Sequence, residues 1–400
     1  MARASSNLPA GVPRAVPVPV LLMVRGLGLG GTERQLVEIA LGLDRGKFEP
    51  HVGCFRPDGV RGDELRAAGI PVVEFPVRSF KSLGVLRGAR QMGAYVTRHR
   101  VQLVHTFDVP MNLFGIPAAR AFGVPCVLGS QRAYRSLTPG LRHLLRVTDL
   151  LADGIVVNCL AMQRHLVEDE NVEAGRVHLC YNAIDNAAFQ PGPRARPPEL
   201  GGASLVIGVV CVLRPEKDLT TLFAAFGKVR CRREALKLVI VGGGLSLAGL
   251  EQWARELDLG DAVRFIHSTP NVVPWLRSID IFVLPSLSEA FSNSLMEAMA
   301  CGCCPVASEV GGNLELVEEG VTGLRFRPGD VAGLAAALAR LIDDSELRER
   351  LAASAAAFIH HHFSRSAAAR RMEEIYSGLL GSGGGIWRAA RVGLARVSRG

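Results

Sequence analysis

The stretch Ser288-Glu289-Ala290-Phe291-Ser292-Asn293-Ser294-Leu295-Met296-Glu297-Ala298-Met299-Ala300 decides how the chain is read. It comes after an apolar run, Ile281-Phe282-Val283-Leu284, and a breaker, Pro285. The run reads as a buried strand, and the residues after Pro285 read as a loop entering a helix. Ser292 or Asn293 is the expected N-cap and Gly302 the stop. One carboxylate, Glu289, therefore sits in the loop, and a second, Glu297, just inside the helix. Free backbone N–H groups open this helix at the carboxyl end of a strand, an arrangement that suits a phosphate. The two acids can accept hydrogen bonds from hydroxyls of the same ligand. Phosphate together with many hydroxyls describes a sugar nucleotide. The plainer reading is two solvated acids that favour a helix start. This stretch alone supports both.

On either side of it, strand and helix signals alternate along the chain. Val18 to Val24 is the first expected strand, then the glycine-rich Arg25 to Arg34 and a helix from Gln35 to Leu43. Further strands are expected at 51–55, 72–75, 101–105, 125–129, 154–158 and 177–180, with helices between most of them. Asn186 to Ser204 breaks the rhythm with Pro191, Pro193, Pro197, Pro198 and Gly201-Gly202, and reads as a linker. The rhythm then restarts with strands at 205–213, 236–241, 263–266, 281–284 and 304–307. Such alternation predicts an α/β chain of two doubly wound domains, each a parallel sheet covered on both faces. A cleft between them is the natural ligand site. The expected division is a disordered tail over 1–17, a first domain over 18–190, a linker over 191–204, a second domain over 205–365, a last helix over 366–380 and a basic tail over 381–400.

A chain of 400 residues accords with two domains, because single cores seldom grow past about 250 residues. It is 48% hydrophobic and 21% charged, ordinary for a globular protein. The net charge of +8 fits anionic partners, although much of the excess lies at the chain ends. No apolar run is long enough to suggest a membrane span, and Met1 to Pro19 lacks the apolar core of a signal peptide. The nine cysteines are scattered, most of them in apolar settings such as Cys54, Cys126, Cys180 and Cys211, which favours reduced buried thiols and a cytoplasmic location. Cys301, Cys303 and Cys304 lack the second pair that a zinc site wants, so packing is expected there. The tail from Ile386 to Gly400 interleaves Arg388, Arg391, Arg396 and Arg399 with Trp387, Val392 and Leu394. It reads either as a solvated tail or as a segment lying on the inner face of an anionic membrane.

Other strand ends carry candidate chemistry. Arg214 and Lys217 lie three apart after the first strand of the second domain and can together neutralise a diphosphate. Gly242-Gly243-Gly244 comes after the next strand and permits close backbone approach to a ligand, but no Lys-Ser/Thr stands behind it to make a P-loop. His105 ends a first-domain strand and is expected to face the cleft, with Asp108 beside it as a weaker candidate. Gly26, Gly28 and Gly31 spell G-x-G-x-x-G. The acid that a dinucleotide fold needs after the second strand is missing, with Arg56-Pro57 in its place, so an NADP site survives only weakly. There is no Asp-x-Asp to hold a divalent ion and no Gly-x-Ser-x-Gly elbow. Cations and helix N-termini are thus the expected electrophile, with no metal and no cofactor.

These residues together resemble a known family. Glu289, seven residues, then Glu297-Ala298-Met299-Ala300-Cys301-Gly302 is similar to the signature of GT-B glycosyltransferases, in particular glycosyltransferase family 4. Around it stand Ile279 to Ser286, Val310-Gly311-Gly312 with Glu315, and Gly320 to Leu324. Upstream are Gly30 to Arg34, Ala152-Asp153, Asn182 to Asp185 with Phe189, and Pro215-Glu216-Lys217. The resemblance spans roughly 18–380. It implies a metal-independent hexosyltransferase that moves a sugar from a UDP-, GDP- or ADP-sugar to an acceptor hydroxyl with retained anomeric configuration. By match, Glu297 holds the ribose hydroxyls, Glu289 contacts the donor sugar, and Lys217 serves the diphosphate. Backbone from Phe291, Ser292, Asn293, Ser294 and Leu295 binds phosphate and sugar. Gly31 approaches the diphosphate from the first domain, and the helix over 366–380 crosses back to the first domain.

Three positions depart from the family pattern. Val212 stands where an Arg is usual, so either Arg214 substitutes or Lys217 acts alone. Ala183 replaces a Gly. Gly129-Ser130-Gln131-Arg132 lacks the usual His, which leaves His105 or Arg132 for acceptor-side chemistry. The acceptor is expected to be a saccharide or a lipid-linked carrier in envelope polysaccharide or glycolipid synthesis, not a nucleic acid. Competing readings are a sugar-nucleotide epimerase on the same fold and a non-catalytic subunit that binds nucleotide sugar.

Overall fold

The computed structural model describes residues 16–132, 139–194, 196–231 and 235–381. Most of the expected N-terminal tail and all but the first residue of the basic C-terminal tail lie outside them. The first sheet holds β1 (Val18–Gly26), β2 (Phe48–Arg56), β3 (Val72–Glu74), β4 (Leu103–Thr106), β5 (Cys126–Gln131), β6 (Gly154–Val157) and β7 (Val177–Leu179). Their order is β3-β2-β1-β4-β5-β6-β7, and every pairing is parallel. The second sheet holds β8 (Leu205–Val210), β9 (Leu236–Val241), β10 (Val263–Ile266), β11 (Ile281–Leu284), β12 (Cys304–Ser308) and β13 (Leu324–Phe326). Its order is β10-β9-β8-β11-β12-β13, again all parallel. In each sheet the order reverses beside the first strand, between β1 and β4 and between β8 and β11. That switch point opens a crevice at the carboxyl ends, where ligands of such sheets bind.

The helices of the first half are α1 (Gly31–Gly42), α2 (Val60–Ala67), α3 (Gly84–Arg98), α4 (Val109–Ala121), α5 (Pro139–Leu151) and α6 (Leu160–Arg164). Those of the second are α7 (Leu219–Arg230), α8 (Leu247–Glu256), α9 (Val273–Ser278), α10 (Asn293–Ala300), α11 (Asn313–Leu316), α12 (Val331–Asp343), α13 (Ser345–His362) and α14 (Arg365–Gly381). The sequence pattern missed α2, α11 and β13. The two helices and the strand are too short to show a period. α4 starts earlier than expected because Asp108 caps it, accepting from Met111 N at 2.9 Å, with Pro110 in the first turn.

Side-chain alternation along β1 explains the two-faced cover. Leu22 and Val24 pack with Leu36 and Ile39 of α1 and with Met372 and Tyr376 of α14. Leu21 and Met23 face the other way, toward Met92 of α3 and Phe114 of α4. α14 thus completes the first half although it is last in the chain. It lies so close to α1 that a Cβ on Gly42 would come 2.8 Å from the Ala369 methyl. Arg365 fastens its start, donating to Glu38 at 2.6 Å and Asp185 at 2.9 Å. Further along, Glu373 accepts from Asp44 N at 2.8 Å.

The two halves share a core. Ile155, Val157, Met162, Ile184 and Phe189 pack in one cluster with Phe282, Leu295 and Met296. The proline-rich connection is pinned rather than loose: Arg194 and Arg196 donate to Asp280 at 2.5 and 3.0 Å. Asp280 in turn accepts from Val206 N at 2.7 Å, which fixes where β8 begins. No helix among the described residues is long and apolar enough to cross a membrane.

Candidate active site

Site geometry starts from α10. Ser292 is the N-cap, with an extended backbone and its Oγ accepting from Leu295 N at 3.3 Å. Cys301 and Gly302 end the helix, Gly302 with φ of 86°. The loop before it is held from three sides. Ser286 Oγ donates to Glu289 at 2.8 Å, and Ser308 Oγ donates to Ser286 O at 2.6 Å. Gly312 N donates to Ala290 O at 2.6 Å, an approach that leaves no room for a Cβ at Gly312. Leu287 N donates to Glu216 O at 2.9 Å, tying the loop to the turn that carries Lys217.

Lys217 and Glu289, from the loops after β8 and β11, form an ion pair. They flank the switch point of the second sheet. Beside them the N–H groups of Phe291, Ser292, Asn293 and Ser294 find no acceptor among the described residues. A cation, a carboxylate and a row of donors therefore share one edge of the cleft. Arg214 is more exposed than Lys217, and its nearest carboxylate is Glu216 at 3.6 Å. Nothing aims it at Glu289.

Glu297 is buried, and its partner comes from the other half: Arg34 of α1 forms an ion pair with it. Arg34 also stacks over the Phe189 ring, 5.3 Å from Cζ to centroid. Burial, more than the neighbouring Arg61, lowers its guanidinium to about 10. Asn293 extends the contact. Its Oδ1 accepts from Gln35 at 3.0 Å and Asn182 at 2.8 Å, and its Nδ2 donates to Gly31 O at 3.1 Å. Gln35 exchanges two further bonds with the backbone of Ala183, at 2.9 and 2.6 Å. Glu315 makes a separate bridge, accepting from Leu160 N, Ala161 N and Tyr181 Oη at 3.0, 3.2 and 2.9 Å. The start of α10 is thus stitched to the start of α1 and to the turn after β7.

Residues 29–188 match the family described as Glycosyltransferase Family 4, and residues 196–358 match Glycosyl transferases group 1. The D-inositol 3-phosphate glycosyltransferase of Frankia alni is 30% identical over 277 residues, 63% of this chain and 68% of its own. The chain belongs to the group 1 glycosyltransferases. The same-named protein of Thermomonospora curvata is 33% identical over 222 residues, 50% of this chain and 52% of its own. The chain thus spans only 52% of that relative and 64% of the one from Thermobifida fusca. Among solved structures, Anabaena HepE in complex with UDP and glucose superposes with a TM-score of 0.76 at 25% identity, covering 90% of this chain and 99% of its own. Sucrose-phosphate synthase from Thermosynechococcus elongatus gives 0.79 at 20% identity, covering 91% and 100%. The fold is GT-B.

In this glycosyltransferase one sequence expectation is corrected. His105 does not face the cleft. It is fully buried, with Nδ1 2.7 Å from Tyr376 Oη and Nε2 2.8 Å from Ser130 Oγ. Burial, aided by Arg132, holds its pKa well below the usual histidine value. A neutral ring with both nitrogens engaged ties β4 to α14. Asp108, likewise, spends its carboxylate on Met111 N and on Arg25 N at 2.8 Å. Gly242 and Gly244 have a reason of their own to be glycines. Their φ angles are 150° and 159°, and a Cβ on either would strike the carbonyl oxygen of Cys211 or Leu213. The protein's own backbone already comes close here. Gly243 takes part in that packing through its carbonyl, which accepts from Leu213 N at 3.0 Å. Arg34, Gln35 and Asn182 are the contributors that sequence reasoning passed over as functional. Their signal was present, since Arg34 and Gln35 come just after Gly30-Gly31 at the mouth of α1 and Asn182 opens Asn182-Ala183-Ile184-Asp185.

Proposed function

We propose that this glycosyltransferase moves a sugar from a nucleoside-diphosphate sugar to an acceptor hydroxyl, with retained anomeric configuration and without a metal ion. The main support is the open row of N–H donors at the start of α10, set beside Lys217 and Glu289 at the switch point of the second sheet. A diphosphate placed there meets the positive end of a helix and a cation. Lys217 then exchanges its internal partner for the phosphate, which frees Glu289 to accept hydrogen bonds from the donor sugar. Glu297, released from Arg34, accepts from the ribose hydroxyls. Bond cleavage leaves negative charge on the departing diphosphate. Lys217 and the helix N–H groups stabilise that charge, and a phosphate oxygen receives the proton of the acceptor hydroxyl.

The UDP and glucose named for HepE support a nucleotide sugar as donor. The acceptors named for relatives, D-inositol 3-phosphate and, for a Bacillus anthracis protein, L-malate, are hydroxyl compounds that carry negative charge. We extend that class to this chain, with a saccharide or lipid-linked acceptor in envelope synthesis as its setting. The test is calorimetry with UDP-, GDP- and ADP-sugars. Lys217→Ala and Glu297→Ala are each expected to weaken the preferred donor at least tenfold; unchanged affinity in both removes the site assignment.

A further inference from the structure

Arg132 has no part in the site described so far. It is the first residue beyond β5, at the carboxyl edge of the first sheet, on the same side as the switch point. The residue is partly buried. Its guanidinium lies over the Phe107 ring, 4.9 Å from Cζ to centroid. Nη1 donates to Asn182 Oδ1 at 3.0 Å, and Nε is buried with no acceptor among the described residues. No carboxylate among the described residues forms an ion pair with it. Asp149, which Gln131 reaches at 2.8 Å, faces Arg176 instead. The adjoining residues 133–138 contain no acid.

A guanidinium held in a desolvated place is ordinarily matched by an anion. Among the described residues the fold supplies an aromatic face and one amide oxygen. Asn182, which takes that single bond, donates from its other end to Phe291 O at 3.2 Å and Asn293 Oδ1 at 2.8 Å. The unmatched cation of the first half is therefore one side chain away from the open N–H row of the second. Burial lowers the guanidinium's pKa, as expected for a charge without a counter-ion. The planar fork of an arginine suits phosphate oxygens.

We propose that Arg132 is a binding residue for a phosphoryl group, contributed either by the donor's diphosphate or by a phosphate on the acceptor. The proposal rests on the reading that the cleft holds a nucleotide sugar, and it makes the cleft two-sided: Lys217 and α10 from the second half, Arg132 from the first.

The full-length chain is titrated by calorimetry with UDP, GDP and ADP, and then with inorganic phosphate, both alone and in the presence of the tightest nucleotide. Arg132→Met keeps the length and the contact with Phe107 while removing the charge; Arg132→Lys keeps the charge without the fork. If the group belongs to the donor, Arg132→Met weakens the nucleotide at least tenfold and Arg132→Lys less. If it belongs to the acceptor, nucleotide affinity stays within twofold and inorganic phosphate binding falls at least tenfold. In both cases the melting temperature of Arg132→Met without added anion equals or exceeds that of the wild type. A lower melting temperature with both affinities within twofold makes Arg132 a packing residue and overturns the proposal. So does a wild type that binds neither anion. Failure of the nucleotide reading alone shows as loss of nucleotide binding in the wild type, with the phosphate titration still readable.

Discussion

The carboxyl ends of the two sheets share one topology and handle charge in opposite ways. At the second sheet, Lys217 and Glu289 stand on adjacent loops and neutralise each other. At the first sheet, His105 is surrounded by hydroxyls and Arg132, among the described residues, by a ring and an amide; Asp149, in the last turn of α5 on the way into β6, meets Gln131 and an arginine bound to carbonyls. Paired charges at a loop can change partner at little cost, because the pair is re-formed with the ligand. Single charges in a low-dielectric setting either lose their charge or await a partner. Arg34 joins the two regimes: it belongs to the first half, and its ion pair among the described residues is with Glu297 of the second.

The largest effect is expected where the halves meet. Asn293→Ala removes the acceptor for Gln35 and Asn182 and the donor for Gly31 O. Leaving such groups unmatched costs about 3 kcal/mol in stability. Turnover, read as nucleoside diphosphate release, should fall at least tenfold, since α10 loses its registration on α1. Retained activity and melting temperature would mean that the two sheet edges work independently.

Asp149 tests the cost of a single charge at the first sheet. Burial raises its carboxyl to about 7, against an ordinary value of 3.8. The folded protein therefore holds a proton that the unfolded chain releases, and stability declines as pH rises from about 4 to about 7. Asp149→Asn should remove that decline. Thermal unfolding at pH 8 is expected to show the variant more stable by about 4 kcal/mol, with no difference near pH 4. Equal curves at both pH values would show that Gln131 and Arg176 compensate the charge in full.

The smallest effect is expected at His105. His105→Gln keeps a donor and an acceptor near Tyr376 and Ser130. Turnover per folded molecule should stay within about threefold and stability should fall by about 1 kcal/mol. A hundredfold loss of turnover, with folding intact by circular dichroism, would return this histidine to the chemistry.

Much of the fold was legible in the residues. Runs such as Ile281 to Leu284 are apolar throughout because parallel strands are buried on both faces. The break at 186–204 is marked by its prolines. Ser292 announces its helix because an N-cap is a local interaction spanning three residues. The pair Glu289 and Glu297 was legible for the same reason, being one loop and one helical turn apart. Gly242 and Gly244 were legible only by half. Glycine shows that backbone comes close, and what it approaches, here Cys211 and Leu213, lies elsewhere in the chain.

The alternating strands and helices, the two sheets, and the acids and lysine at the second sheet's edge can all be read from the residues alone, because each depends on period, caps and breakers within a short span. Only the folded molecule settles that His105 ties β4 to the last helix, that Glu297 meets Arg34, that Asn293 joins α10 to α1, and that Arg132 has no acid among the described residues. Those outcomes are set by partners up to 271 residues away. The state of a buried charge is fixed by what surrounds it in space, and no local pattern records that.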